Sequence, residues 1–67
     1  MYKGKIKNYL SNERRGLIEP SNRSKDVFFN HSVVRGGTGW LAKGVRVKYE
    51  LYVKEGTPQA KVVIADS

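Results

Sequence analysis

Apolar and polar side chains alternate along much of this chain, the period-two pattern of strands that bury one face. The clearest run is Val45 to Val53, where Val45, Val47, Tyr49, Leu51 and Val53 alternate with Arg46, Lys48, Glu50, Tyr52 and Lys54. An N-terminal run over residues 3–10 sets Lys3, Lys5, Lys7 and Tyr9 against Gly4, Ile6, Asn8 and Leu10. Gly4 inside a strand predicts a bend or a close backbone approach. In Arg15 to Glu19, Arg15, Leu17 and Glu19 share a face and Ile18 takes the other. In Asp26 to Asn30, Asp26, Phe28 and Asn30 share a face, leaving Val27 and Phe29 for the core. The closing run, Gln59 to Ala65, has Ala60, Val62 and Ile64 as its inward set.

The breaks between these runs are short and polar. Ser11-Asn12-Glu13-Arg14 predicts a tight turn, and Pro20 to Lys25 is a turn cluster that cannot build a core. Ser32-Val33-Val34 starts a single helical turn, with Ser32 as its cap. The glycine-rich loop Arg35-Gly36-Gly37-Thr38-Gly39-Trp40 has no Gly-Lys-Ser/Thr after it, so it is not a phosphate-cradling P-loop. Its tryptophan either anchors the loop in the core or stands exposed as a stacking group, and the sequence leaves both open. Glu55-Gly56-Thr57-Pro58 is the last turn. Five strands without a helical period predict an all-β, closed or nearly closed antiparallel barrel, which removes exposed strand edges.

The chain has 67 residues, a length that suits one domain over residues 1–67. With no cysteine it has no disulfide or Cys-based metal site, and it suits a reducing, cytoplasmic compartment. One His and six acids make a metal site or other cofactor unexpected. There is no apolar signal-peptide core and no run near the roughly 20 residues of a membrane span, so no membrane insertion is expected. Catalysis is not expected either, because His31 has only Asp26 as a nearby acid in sequence.

Charge changes the picture most. Thirteen Lys and Arg against six acids give +7. The excess is concentrated in residues 1–25, where Lys3, Lys5, Lys7, Arg14, Arg15, Arg23 and Lys25 face only Glu13 and Glu19. Residues 35–48 add Arg35, Lys43, Arg46 and Lys48 with no acid. Cations sharing strand faces with aromatics predict a polyanionic partner, since neutralised phosphates release condensed counterions. Like charges on a small barrel also repel, so anions should stabilise the fold.

The series Gly4-Lys5-Ile6-Lys7, Gly16-Leu17-Ile18, Asp26-Val27-Phe28, Ser32, Leu41, Gly44, Val47-Lys48-Tyr49-Glu50 and Pro58-Gln59-Ala60 resembles the cold-shock domain over almost the whole chain. The resemblance implies a small five-stranded OB-fold-type barrel. It also implies single-stranded DNA or RNA stacked on aromatics of strands two and three, the RNP1 and RNP2 motifs.

The chain departs from that pattern mainly on the binding face. Asn8 stands where the family has an exposed Trp. The RNP1 pattern Lys-Gly-Phe-Gly-Phe-Ile reads here Glu13-Arg14-Arg15-Gly16-Leu17-Ile18, and RNP2, Val-Phe-Val-His-Phe, reads Val27-Phe28-Phe29-Asn30-His31. Stacking contributes about 1–3 kcal/mol per base, so lost rings weaken base contacts. Arg15 partly offsets this, because guanidinium stacks on bases and pairs with phosphate.

The expected function is therefore single-stranded RNA or DNA binding, more electrostatic and less base-selective than in the family. Phe28 and Tyr9 are the expected stacking groups, and Asn30, His31 and Trp40 stack or hydrogen-bond. Lys5, Lys7, Arg14, Arg15, Arg46 and Lys48 are the expected phosphate contacts. A monomer is expected. The alternative is a degenerate cold-shock barrel that meets a protein partner within a larger assembly or longer chain, favoured by Leu17 and the lost rings.

Overall fold

A computed structural model describes residues 1–66. The strands are β1 (Tyr2–Leu10), β2 (Arg15–Pro20), β3 (Val27–Asn30), β4 (Arg46–Lys54) and β5 (Thr57–Ala65), with a 3-10 turn at His31–Val33. They close a barrel in the order β1-β2-β3-β5-β4, the five-stranded all-β architecture expected. The β1–β2, β2–β3, β1–β4 and β4–β5 seams are antiparallel. The last seam is parallel and brief, Phe28 opposite Gln59. Short connections join β1 to β2 and β4 to β5, whereas the glycine-rich segment carries the chain from the 3-10 turn to β4.

Ile6, Ile18, Val27, Phe29, Val34, Val47, Tyr49, Ala60 and Val63 fill the barrel. Most were legible as inward positions of alternating strands. Burying such a side chain stabilises by roughly 1.5–3 kcal/mol, so the cluster holds the fold. Gly4 behaves as its strand position predicted: a Cβ there would lie 2.6 Å from the Glu19 carbonyl oxygen and 2.8 Å from Ile18 Cγ2. Only a residue without a side chain lets β1 come this close to β2.

Two bulges overturn part of the alternation. Along β1 the partners run Ile6 with Ile18 and then Asn8 with Leu17, so Lys7 is an extra residue without a partner. The phase of β1 flips there. Tyr9 turns to the core side, half-buried and stacked on Phe29 with ring centroids 6.1 Å apart. Asn8 and Leu10, expected on the inner face, are exposed. Along β5, Ala60 pairs with Leu51 and Val62 with Glu50, leaving Lys61 as the extra residue. Val63 therefore becomes fully buried, while the expected inward residues Val62 and Ile64 are only half-buried.

Two further expectations are corrected locally. Val53 ends the alternating run of β4 but is 65% exposed, because it lies in the hairpin tip opposite Pro58. The 3-10 turn is capped by Asn30, not Ser32: its side-chain Oδ1 accepts the Ser32 backbone N–H at 3.1 Å. An asparagine in extended conformation just before a turn is well placed to satisfy such a donor.

Candidate nucleic-acid interface

Outward positions of four strands meet in one place. Leu17 and Phe28 are cross-strand partners, Asn8 is opposite Leu17, and Gln59 is opposite Phe28. Tyr52 pairs with Gln59, and its hydroxyl donates to Gln59 Oε1 at 3.0 Å. One row of side chains thus crosses the barrel wall: Asn8, Leu17, Phe28, Gln59, Tyr52. Phe28 is 45% exposed, although burial would stabilise so large an apolar ring. Asn8, Leu10, Arg15, Gly16, Leu17 and Phe28 line a shallow depression beneath it. The face offers an aromatic ring, aliphatic surface and a guanidinium together.

Cations flank the row unequally. Lys7 Nζ donates to Asp26 Oδ2 at 2.7 Å in an exposed ion pair. That hydrogen bond, and then the carboxylate's charge, raises the Lys7 pKa above its ordinary value. Arg15 pairs with Glu13. Arg14 makes no ion pair among the described residues and sits at the β1–β2 tip with φ +56°. This is the left-handed region that favours glycine, and the RNP1 pattern has glycine there. A long cation has taken a position where a bare backbone would be relaxed.

The remaining expected site residues separate into two groups. His31 is half-buried where β3 runs into the 3-10 turn; its backbone N–H donates to the Arg14 carbonyl at 2.9 Å. Its Nδ1 is buried without a hydrogen-bond partner. Asn30 is exposed, with its amide oxygen committed to the cap. Trp40 is half-buried against the core, and its indole N–H donates to the Arg35 carbonyl at 3.4 Å. It anchors its loop while an edge stays open to solvent. Tyr9 lies against Phe29, behind the row, because of the Lys7 bulge.

Lys5, Arg46 and Lys48 are not brought to the aromatic row. They lie on the β1–β4 ladder, where Lys5 is opposite Arg46 and Lys3 opposite Lys48. None of them lines the depression beneath Phe28.

Gln59 and Tyr52 within the row, and Leu10 beside it, were missed by sequence reasoning. Leu10 was hidden by the bulge. Gln59 and Tyr52 join Phe28 only through the parallel β3–β5 seam, which no local pattern announces.

A family model described as "'Cold-shock' DNA-binding domain" matches residues 2–65. The chain belongs to the cold-shock domain family. It is 38% identical over 64 residues to the cold shock-like protein CspE of Escherichia coli (strain K12), covering 94% of this chain and 93% of that protein. It is 36% identical over 64 residues to the cold shock-like protein CspC of Shigella flexneri, with the same coverage. The likeness spans every strand of the cold-shock barrel, so the changed residues on its outer face are substitutions within a retained fold. Among the described residues, no helix is long and apolar enough to cross a membrane.

Proposed function

We propose that this cold-shock domain binds single-stranded RNA or DNA across the Asn8–Leu17–Phe28–Gln59 row. Membership of the family supports nucleic-acid binding in general; the mode is read from this chain's own residues. Phe28 stacks a base, and Arg15 stacks or meets a phosphate beside it. Lys7 and Arg14 supply further backbone contacts. Tyr9, Asn30, His31 and Trp40 stand around the row as supporting contacts, Tyr9 chiefly by holding Phe29 behind it. Leu17 and Asn8 replace rings with surfaces that cannot stack, so charge supplies a larger share of the affinity and base identity a smaller one. The observation that carries this reading is an exposed Phe28 flanked by Leu17 and Arg15 on one wall of the barrel.

A salt-series titration of labelled oligo-dT, oligo-U and duplex DNA, followed by Trp40 fluorescence, tests it. Single strands should bind more tightly than duplex, with a steep salt dependence and little preference between dT and U. Equal, weak binding to all three that vanishes at physiological salt would sink it.

A second reading has an observation of its own. Leu10, Leu17 and Phe28 line one depression, an apolar patch suited to a protein partner. Trp40 does not line it. The same titration separates the two, because a protein-docking barrel would not prefer single strands.

A further inference from the structure

We propose that Lys3, Lys5, Arg46 and Lys48 form a second phosphate-binding patch, on the β1–β4 ladder and apart from the aromatic row. Its ligand is the phosphodiester backbone of a nucleic acid, either the bound strand continuing past the row or a second strand. The assignment of that ligand rests on the nucleic-acid reading of the row.

The register carries the inference. Lys3 is opposite Lys48 and Lys5 opposite Arg46 on adjacent antiparallel strands. Inward Gly4, Val47 and Tyr49 fix all four cations on the outer face. Side chains opposed in this way have Cβ atoms about 4.5–5.5 Å apart, and like charges so placed oppose folding. Charge that served only solubility would be dispersed, not registered in two facing pairs.

Neutralisation from within the protein is slight. Asp66 approaches Lys48 at 3.8 Å, and no other carboxylate forms an ion pair with any of the four among the described residues. Glu19 is opposite Lys5 on the β2 side but makes no such contact. Lys3, Lys5 and Arg46 converge on a shallow depression of about 250 Å³ that Asp66 closes at one side. Lys5 also borders two neighbouring depressions, which bring Lys43 and Arg23 to the rim together with a single acid, Glu19, that lines both. A phosphate chain laid there would relieve the repulsion that the fold itself leaves unrelieved, and so would bind and stabilise together.

The test compares the wild-type chain with the Lys3→Gln/Arg46→Gln variant. Both side chains are exposed, and removing a repelling cation from each pair should raise the variant's own thermal midpoint at low salt, which verifies folding. Inorganic tripolyphosphate should raise the wild-type midpoint by more than the variant's. Oligo-dT of about six nucleotides, enough for the row alone, should bind both equally. On oligo-dT of about twenty nucleotides, the slope of log affinity against log salt should be shallower in the variant by about 1.4, for two lost phosphate contacts at roughly 0.7 each. Energy transfer between two differently labelled long strands would identify a second strand as the ligand; its absence, with the slope change, would identify one continuing strand. An equal slope on the long strand, or equal tripolyphosphate shifts, overturns the patch. Failure of the short strand to bind the wild type would sink the aromatic-row reading instead, leaving the tripolyphosphate comparison to decide the patch.

Discussion

Lys7 is the residue that bulges out of the β1–β2 ladder, and its ammonium meets Asp26 at 2.7 Å, just before β3. The ion pair therefore ties the phase change in β1 to the edge of the proposed interface, and it masks a cation there. Asp26→Asn should free Lys7, tightening oligo-dT binding by about twofold to fivefold at low salt and steepening its salt dependence. Fluorescence titration checks this, and weaker binding would mean that the carboxylate itself contacts the strand. The same pair has a pH signature. The folded Lys7 pKa is raised above 10.5, by the hydrogen bond to Asp26 first and its charge second. Its stabilisation is thus complete below the unfolded pKa and is lost only as pH climbs through the raised folded value. Wild type and Asp26→Asn should therefore differ in the pH dependence of unfolding on that alkaline limb.

Phe28 is about half exposed, so its removal should cost binding more than stability. Phe28→Ala should weaken single-strand binding by about 1–3 kcal/mol, the contribution of one stacked base. The thermal midpoint should fall by less than it would for a fully buried ring, since the residue is 45% exposed. Titration and a melt on the same sample check both, and unchanged affinity would remove the row from the interface.

Leu17 offers the converse experiment. It is the cross-strand partner of Phe28, on the outward face and half-buried. Leu17→Phe should add a second stacking surface beside the first, tightening oligo-dT binding by about 1 kcal/mol or more while leaving the salt slope unchanged, since no phosphate contact is gained or lost. A variant that folds normally yet binds no better would favour a protein partner for the Leu10–Leu17–Phe28 patch.

Gly16 holds the floor of the interface. A Cβ there would meet the Asn8 carbonyl oxygen and Phe29 Cζ, both at 2.6 Å. Gly16→Ala should destabilise the barrel by about 1–3 kcal/mol through overpacking. It should also disturb the Tyr9–Phe29 stack, because Tyr9 is the cross-strand partner of Gly16. Urea denaturation measures the loss, and wild-type stability would show that β1 and β2 separate more easily than the spacing implies.

Much of this molecule is legible in its order of residues. Period-two alternation located all five strands and placed Ile6, Ile18, Val27, Phe29, Val47, Tyr49 and Ala60 on inward faces. Gly4 announced its close approach because a missing side chain inside a strand has few other uses. Phe28 and Arg15 were readable as outward neighbours because their strands are short and regular. These properties are local: a strand's two faces follow from backbone geometry alone.

The tertiary structure decided the rest. Lys7 and Lys61 look like ordinary outward positions, yet each is the surplus residue of a pairing that places two residues against one. A bulge depends on the partner strand's length and curvature, so the sequence of one strand does not contain it. Its consequence is large, since it sends Tyr9 and Val63 inward and Asn8 and Leu10 outward. The parallel β3–β5 seam, which joins Gln59 and Tyr52 to Phe28, arises only when the barrel closes. The facing of Lys3 with Lys48 and Lys5 with Arg46 is likewise a matter of register between strands some forty residues apart in the chain. By itself, the order of residues determined which strands form, which family they belong to and how much charge they carry. Where those charges and rings meet was determined by pairing across the barrel, because register is set between strands and not within them.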